Sequence, residues 1–166
     1  MHKTLPPGDN SVSRIGQSMA RMRLMTGRRV IGRLVIRTIA PDLELSHLDV
    51  LTAVGRAEGA DEVTVGTIAD MLRIDPSRAS RIVADMVSRN VLRRKASRAD
   101  ARRIVVVMTP AGRRLLSEAR AIKLKTVTEI VAGWPEKDVE TFAVLFEKFM
   151  SGFEDLFLAH DSDTPG

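Results

Sequence analysis

The sequence predicts a mainly α protein carrying one small β-hairpin. Three observations lead there. Apolar residues recur at spacings of three and four along most of the chain. Two of the helices marked in this way are separated by only a residue or two, the shape of a helix-turn-helix. After Asn90 the period switches to that of a strand, and a β-branched run, Ile104 to Val107, follows a short loop.

The elements follow in order. Ile15, Met19, Met22, Ile31, Leu34, Val35 and Ile39 fit one helix from Ser13 to Ala40, ended by Pro41. Ser46 is placed to cap a second, Leu48 to Ala57, released at Gly59. Thr64 opens a short third helix through Leu72, with Ile68, Ala69 and Leu72 as its inner face. Asp75 at the N-cap and Pro76 at the first helical position start a fourth, running to about Arg89. At 100° per residue, Ala79, Ile82, Val83, Met86 and Val87 share one arc, and Ser77, Arg81, Ala84, Asp85 and Ser88 fall opposite. That outer face is small and polar, so it suits close approach to another surface.

The hairpin pairs Val91–Lys95 with Arg102–Thr109. Thr109 and Pro110 repeat the cap-and-proline logic and restart a helix to about Ala132. A last helix runs from Pro135 to about His160 and holds all five phenylalanines, Phe142, Phe146, Phe149, Phe153 and Phe157. One aromatic stripe of that length needs a large apolar partner. Packing within its own subunit is one solution; a dimer seam is the better one, because a chain of 166 residues has few places to hide such a helix. A single domain over 13–160 is expected, with a disordered tail at 1–12 and a short one at 161–166.

Charge is segregated. The net charge is +5, but residues 1–40 carry +7, 41–70 carry −6, 71–116 carry +9 and 117–166 carry −5. The densest block includes the hairpin, where "LRRKASRADARRIVVV" sets six basic side chains against one acid. Such a concentration is the footprint of a polyanionic partner, although a solvated basic face gives similar counts.

Other chemistry is missing. The chain has no cysteine, which excludes disulfides, thiolate metal sites and thiol switches. It has no nucleophile-elbow, phosphate-loop or dinucleotide-binding glycine motif, so no enzymatic reading finds support. His2, His47 and His160 are scattered and suggest no metal cluster; neither a metal nor another cofactor is expected. No apolar stretch reaches the roughly 20 residues that span a bilayer, and the opening "MHKTLPPGDN" lacks a signal-peptide core, so a cytoplasmic location is expected.

The segment "IADMLRIDPSRASRIVADMVSRNVLRRKASRADARRIVVVMTPAG" resembles the winged helix-turn-helix of the multiple-antibiotic-resistance regulator (MarR) family. Its most specific parts are Asp100-Ala101-Arg102 in the hairpin and Thr109-Pro110-Ala111-Gly112 after it. The match is dense from about Thr64 to Gly112 and weaker over the helices on either side. The resemblance implies a winged helix-turn-helix lobe (about 46–112) and a homodimer built by the first and last helices (about 13–40 and 113–160). It further implies a palindromic double-stranded DNA operator and a transcriptional role, most simply a repressor released by a small ligand. One departure stands out: many members have arginine at the position of Ala101 and a small residue at that of Arg103.

Within that frame the recognition helix would enter the major groove, with Ser77, Arg78, Ser80 and Arg81 placed to read base edges. Arg102 would enter the minor groove, whose narrow stretches have enhanced negative potential, with Asp100 bracing it. Arg93, Arg94, Lys95, Arg98 and Arg103 would lie along the flanking phosphates. The family's effector cleft lies between the first, second and fifth helices and the dimer interface. Met19, Met22, Met25, Arg23 and Arg29 are candidates to line it, with His47. For these the plainer reading is core methionines, solvated arginines and a locally packed histidine. Two rival functions are a protein-contact module and a DNA-binding protein without an effector.

Overall fold

The computed structural model describes residues 10–162 apart from Arg28 and Gly59–Asp61, and the side chains of Gly27 and of residues 157–162 are also outside it. The described elements are α1 (Asn10–Gly27), α2 (Val30–Ile39), α3 (Leu45–Ala57), α4 (Val65–Leu72), α5 (Pro76–Ser88), β1 (Leu92–Ala96), β2 (Ile104–Met108), α6 (Pro110–Val131) and α7 (Glu136–Ser162). The chain forms two compact units that divide inside α6, after Lys123.

The mainly helical chain with one antiparallel hairpin matches the predicted fold class. Three boundaries differ for identifiable reasons. The first predicted helix is two: Arg29 adopts φ 48°, a left-handed conformation, and donates its N–H to the Thr26 carbonyl at 2.8 Å. Apolar spacing continues on both sides of this break, so periodicity does not reveal it. α1 also begins at Asn10, inside the stretch expected to be a tail. The third concerns α3, whose N-cap is Glu44 rather than Ser46. Glu44 donates its backbone N–H to His47 Nδ1 at 2.8 Å, and this reciprocal contact places the cap two residues earlier than Ser46. Gly59, expected to release α3, lies outside the described residues.

The core of the first unit is one apolar cluster. Leu51 and Val54 of α3 meet Ile68 of α4, Val83 and Met86 of α5, Leu92 of β1, Val106 and Met108 of β2, and Leu116 of α6. A smaller cluster joins Val35 of α2 to Leu48 and Ala119. The Thr109–Gly112 motif ties these layers together. The buried Thr109 hydroxyl donates to the Asn90 and Val91 carbonyls at 2.7 and 3.0 Å and accepts the Gly112 N–H at 3.0 Å. A Cβ on Gly112 would overlap the Val91 carbonyl oxygen, which is why glycine stands there.

In the second unit, Trp134 meets Phe142 edge-on with centroids 5.5 Å apart, and Phe142 stacks on Phe146 at 5.4 Å. Phe149 and Phe153 lie 6.4 Å apart.

Candidate nucleic-acid interface

The helix-turn-helix is built by local capping on both sides of its turn. Thr64 caps α4, accepting the Thr67 N–H at 3.1 Å. Arg73 then takes φ 50°, and the Ile74 N–H reaches back to the Ala69 carbonyl. Asp75 caps α5: its Oδ1 accepts the Ser77 hydroxyl at 2.5 Å and the Arg78 N–H at 2.8 Å. Those two bonds, the Ser77 hydroxyl first, hold the Asp75 carboxyl below the ordinary aspartate range.

α5 buries Ala79, Val83 and Met86 and turns Ser77, Arg81, Ala84 and Ser88 outward. Ser80 is half-buried at the edge of that face. Arg78 lies on another flank, shared with Asp85 and Arg89. This flank is anchored to the start of α3. Asp85 Oδ2 is 2.8 Å from both Arg89 Nε and His47 Nε2, and Arg89 Nη1 donates to the Asp42 carbonyl at 3.1 Å. The Arg89 hydrogen bond first, then the Arg89 charge and the His47 hydrogen bond, hold the Asp85 carboxyl below its ordinary range. Of the four predicted base-reading residues, therefore, Arg81 and Ser77 face outward most squarely, while the Ser77 hydroxyl is already engaged by the cap.

The hairpin pairs Arg93 with Val107, Arg94 with Val106 and Lys95 with Val105. Val105 and Val106 are buried, whereas Arg93, Arg94 and Lys95 are exposed. A third segment joins the sheet edge, since the Val106 N–H donates to the Val63 carbonyl at 2.7 Å. Beside it, the Glu62 carboxylate accepts the Ser97 hydroxyl and, at 2.8 Å, the Arg98 N–H. Ser97 is buried, and its Oγ accepts the Ala99 and Asp100 N–H groups at 3.0 and 3.1 Å. Asp100 Oδ1 accepts the Arg102 N–H at 2.9 Å. Asp100 thus braces the backbone of the tip; among the described residues no ion pair ties it to the Arg102 guanidinium.

The acids of this region are spent on scaffolding and the cations are not. Arg81, Arg93, Arg94, Lys95, Arg98, Arg102 and Arg103 are all exposed, and among the described residues none lies within ion-pair distance of a carboxylate. A preorganised hairpin tip with free guanidinium groups fits a negatively charged groove.

The remaining predicted residues are dispersed. Phe142, Phe146, Phe149 and Phe153 form an exposed face of α7, at 36–48% accessibility; the Phe157 side chain lies outside the described residues. Met19, Met22 and Arg23 lie on an exposed face of α1. His47 is 5% exposed, with both ring nitrogens engaged within the protein. His2 and His160 fall outside the described side chains. Glu62, Ser97 and Asp85 have structural roles that sequence pattern does not assign, because their partners lie 35 and 38 positions away in the chain; the Glu44 cap, by contrast, is local, closed by His47 three residues on. Among the described residues no cluster of three or more metal-ligating side chains occurs, and no helix is long and apolar enough to cross a membrane.

Comparison with known proteins agrees with this geometry. A family model described as the MarR family matches residues 42–103, from the loop before α3 to the hairpin tip. No curated protein sequence matches the chain. Among solved structures, a MarR family protein from Bacillus stearothermophilus superposes with a TM-score of 0.73 at 11% identity, covering 90% of this chain and 99% of that one. Streptococcus pneumoniae FabT in complex with DNA gives 0.67 at 17% identity, covering 87% and 99%. S. aureus MepR bound to ethidium bromide gives 0.61 at 17% identity, covering 82% and 95%.

Proposed function

We propose that this chain, which matches the MarR family model over residues 42–103 and shares the fold of MarR family structures, is a DNA-binding transcriptional regulator, a homodimeric repressor that binds a palindromic operator and is released by a small ligand. The observation that carries the reading is the division of charge across the lobe. Each carboxylate of the cap and the wing stabilises the backbone of a turn or a helix, and the exposed arginines and Lys95 are left for phosphates. Phosphate contacts set affinity and register, and Arg81 on the outer face of α5 reads base edges.

The dimer reading is supported by two exposed apolar faces. α7 presents its phenylalanines, and α1 presents Val12, Ile15, Met19 and Met22 at helical spacing. Faces of this extent are rarely left in water. Two-fold symmetry then places two recognition helices on half-sites about one helical turn apart, roughly 34–36 Å. The DNA-bound and ethidium-bound structures of the same fold support the partner classes. Such a protein acts where the chromosome is, in the cytoplasm, and no step of the proposal needs catalysis.

Selection of bound DNA from a random pool, at two salt concentrations, tests this. A palindromic consensus with a steep salt slope is expected. Enrichment without symmetry would remove the dimeric operator, and salt-independent capture would favour a protein-contact module.

A further inference from the structure

Arg81, Asp85 and Arg89 stand four residues apart in one row along α5 and its C-cap. Acid and base at this spacing are neighbours on a helix, so Asp85 has an arginine within reach on either side. It is paired with only one of them. Asp85 Oδ2 lies 2.8 Å from Arg89 Nε, and His47 Nε2, reaching across from α3, lies 2.8 Å from the same oxygen. Arg89 is held in turn, since its Nη1 donates to the Asp42 carbonyl at 3.1 Å. Among the described residues Arg81 has no carboxylate within ion-pair distance.

Helix chemistry alone favours this choice only slightly, because an acid pairs a little better with a base four residues on than with one four residues before. Contacts from outside α5 make up the difference. The Asp42 carbonyl fixes the Arg89 fork and the buried His47 fixes the carboxylate, so Asp85 is committed to the side of α5 that meets the start of α3. The acid before Arg81 is engaged as well: Asp75 Oδ1 accepts the Ser77 hydroxyl and the Arg78 N–H. Arg81 thus stands between two carboxylates, and both already have partners.

We propose that Arg89 is a positioning residue for base recognition: with His47 it holds and neutralises the Asp85 carboxylate, and so keeps Arg81 free to reach a base edge. The inference rests on the reading above in which Arg81 contacts bases. Released from Arg89, Asp85 stands one turn from Arg81 and accepts its guanidinium, which occupies the same fork that a guanine would take. An unpaired acid on this flank would also repel the DNA phosphates, and the pairing removes that repulsion. Arg89 itself needs no contact with DNA for this role, because its Nε and Nη1 face Asp85 and Asp42.

The test is anisotropy of the full chain on a labelled operator from the selected pool and on its single-base variants. Arg81→Ala first identifies the base pair that Arg81 reads. Arg89→Met keeps the aliphatic stem and removes the donors. It should weaken the operator by about two- to fivefold, the worth of one partly buried helix pair, with the loss concentrated at that same base pair. Adding Asp85→Asn should restore wild-type affinity, because asparagine keeps an acceptor for His47 and carries no charge to capture Arg81. A merely structural role for Arg89 predicts the reverse, since removing a second tether loosens α5 further. Circular dichroism checks that the variants fold, and the Arg81 Nε–H resonance gives a reading without DNA: it should shift in Arg89→Met and return in the double variant. No rescue by Asp85→Asn, or a loss spread evenly over all base pairs, would overturn the proposal. An even loss with a salt slope shallower by about one would make Arg89 a phosphate contact instead. If Arg81→Ala changes no base preference, the base-reading assignment falls and this role falls with it, while the Arg81 Nε–H resonance still shows whether Asp85 captures Arg81.

Discussion

His47 Nε2 lies 2.8 Å from Asp85 Oδ2, joining the first turn of α3 to α5. Because His47 Nδ1 accepts the Glu44 N–H, the ring proton must reside on Nε2, where it donates to Asp85. One buried imidazole therefore closes a helix cap and fixes the rotation of α5. His47→Phe keeps the volume but leaves the Glu44 N–H without its acceptor. It should cost about 1–3 kcal/mol, the penalty for an unsatisfied, partly buried polar group. Urea unfolding measures this; an unchanged midpoint would mean that water substitutes for the ring.

The wing and the recognition helix should fail differently. Arg102→Ala should weaken many sequences alike, because minor-groove insertion reads shape and potential. Arg81→Ala should relax preference at particular base pairs by about 1–3 kcal/mol for each bidentate pairing it abolishes. Quantitative binding to a library of single-base operator variants separates the two patterns. Uniform shifts from both substitutions would mean that α5 does not read bases.

Wing order should depend on Glu62 and on pH. The Ser97 hydroxyl, then the Arg98 N–H, hold its carboxyl below the ordinary glutamate range, with the Arg103 and Arg98 charges adding to them and partial desolvation opposing. A lowered folded-state value means that the carboxylate's contribution is fully present above the ordinary glutamate range. It is lost as pH falls through the lowered value. Protection of the Arg98 amide, corrected for intrinsic exchange, should be level from neutral pH to about 4.5 and fall below it. Glu62→Gln should show weak protection already at neutral pH, with no such step. A wild-type profile as flat as the variant's would show that Glu62 does not strap the wing.

Dimerisation through α7 predicts that Phe149→Ala with Phe153→Ala dissociates the protein or unfolds it. Each phenylalanine buried at a seam is worth roughly 3–5 kcal/mol. Sedimentation velocity across a dilution series reads the outcome, and an unaltered dimer would place the seam elsewhere.

Gly112→Ala should destabilise the first unit by about 1–3 kcal/mol, since the new Cβ meets the Val91 carbonyl and the backbone must shift to admit it. Thermal unfolding measures the loss. The neighbouring Ala111, at an intermediate position on α6, should tolerate serine.

The sequence by itself determined those features that rest on local chemistry. Asp75 and Pro76 start α5, Thr109 and Pro110 start α6, and the change of period after Asn90 marks the hairpin, because caps, fixed φ angles and side-chain alternation act within a few residues. The basic footprint was legible for the same reason: the wing cations are adjacent in sequence and remain exposed in the fold. Only the tertiary structure decided which charges are spent and which are free. Glu62 meets Ser97 from 35 positions away and Asp85 meets His47 from 38, and no periodicity records such pairings. The break at Arg29 escaped for a related reason, since one left-handed residue redirects the chain without disturbing the apolar spacing around it. The shallow depression lined by Arg33, Arg37 and Arg78 likewise exists only once α2 and α5 are brought together, because the shape of a surface follows from packed elements and not from any one segment.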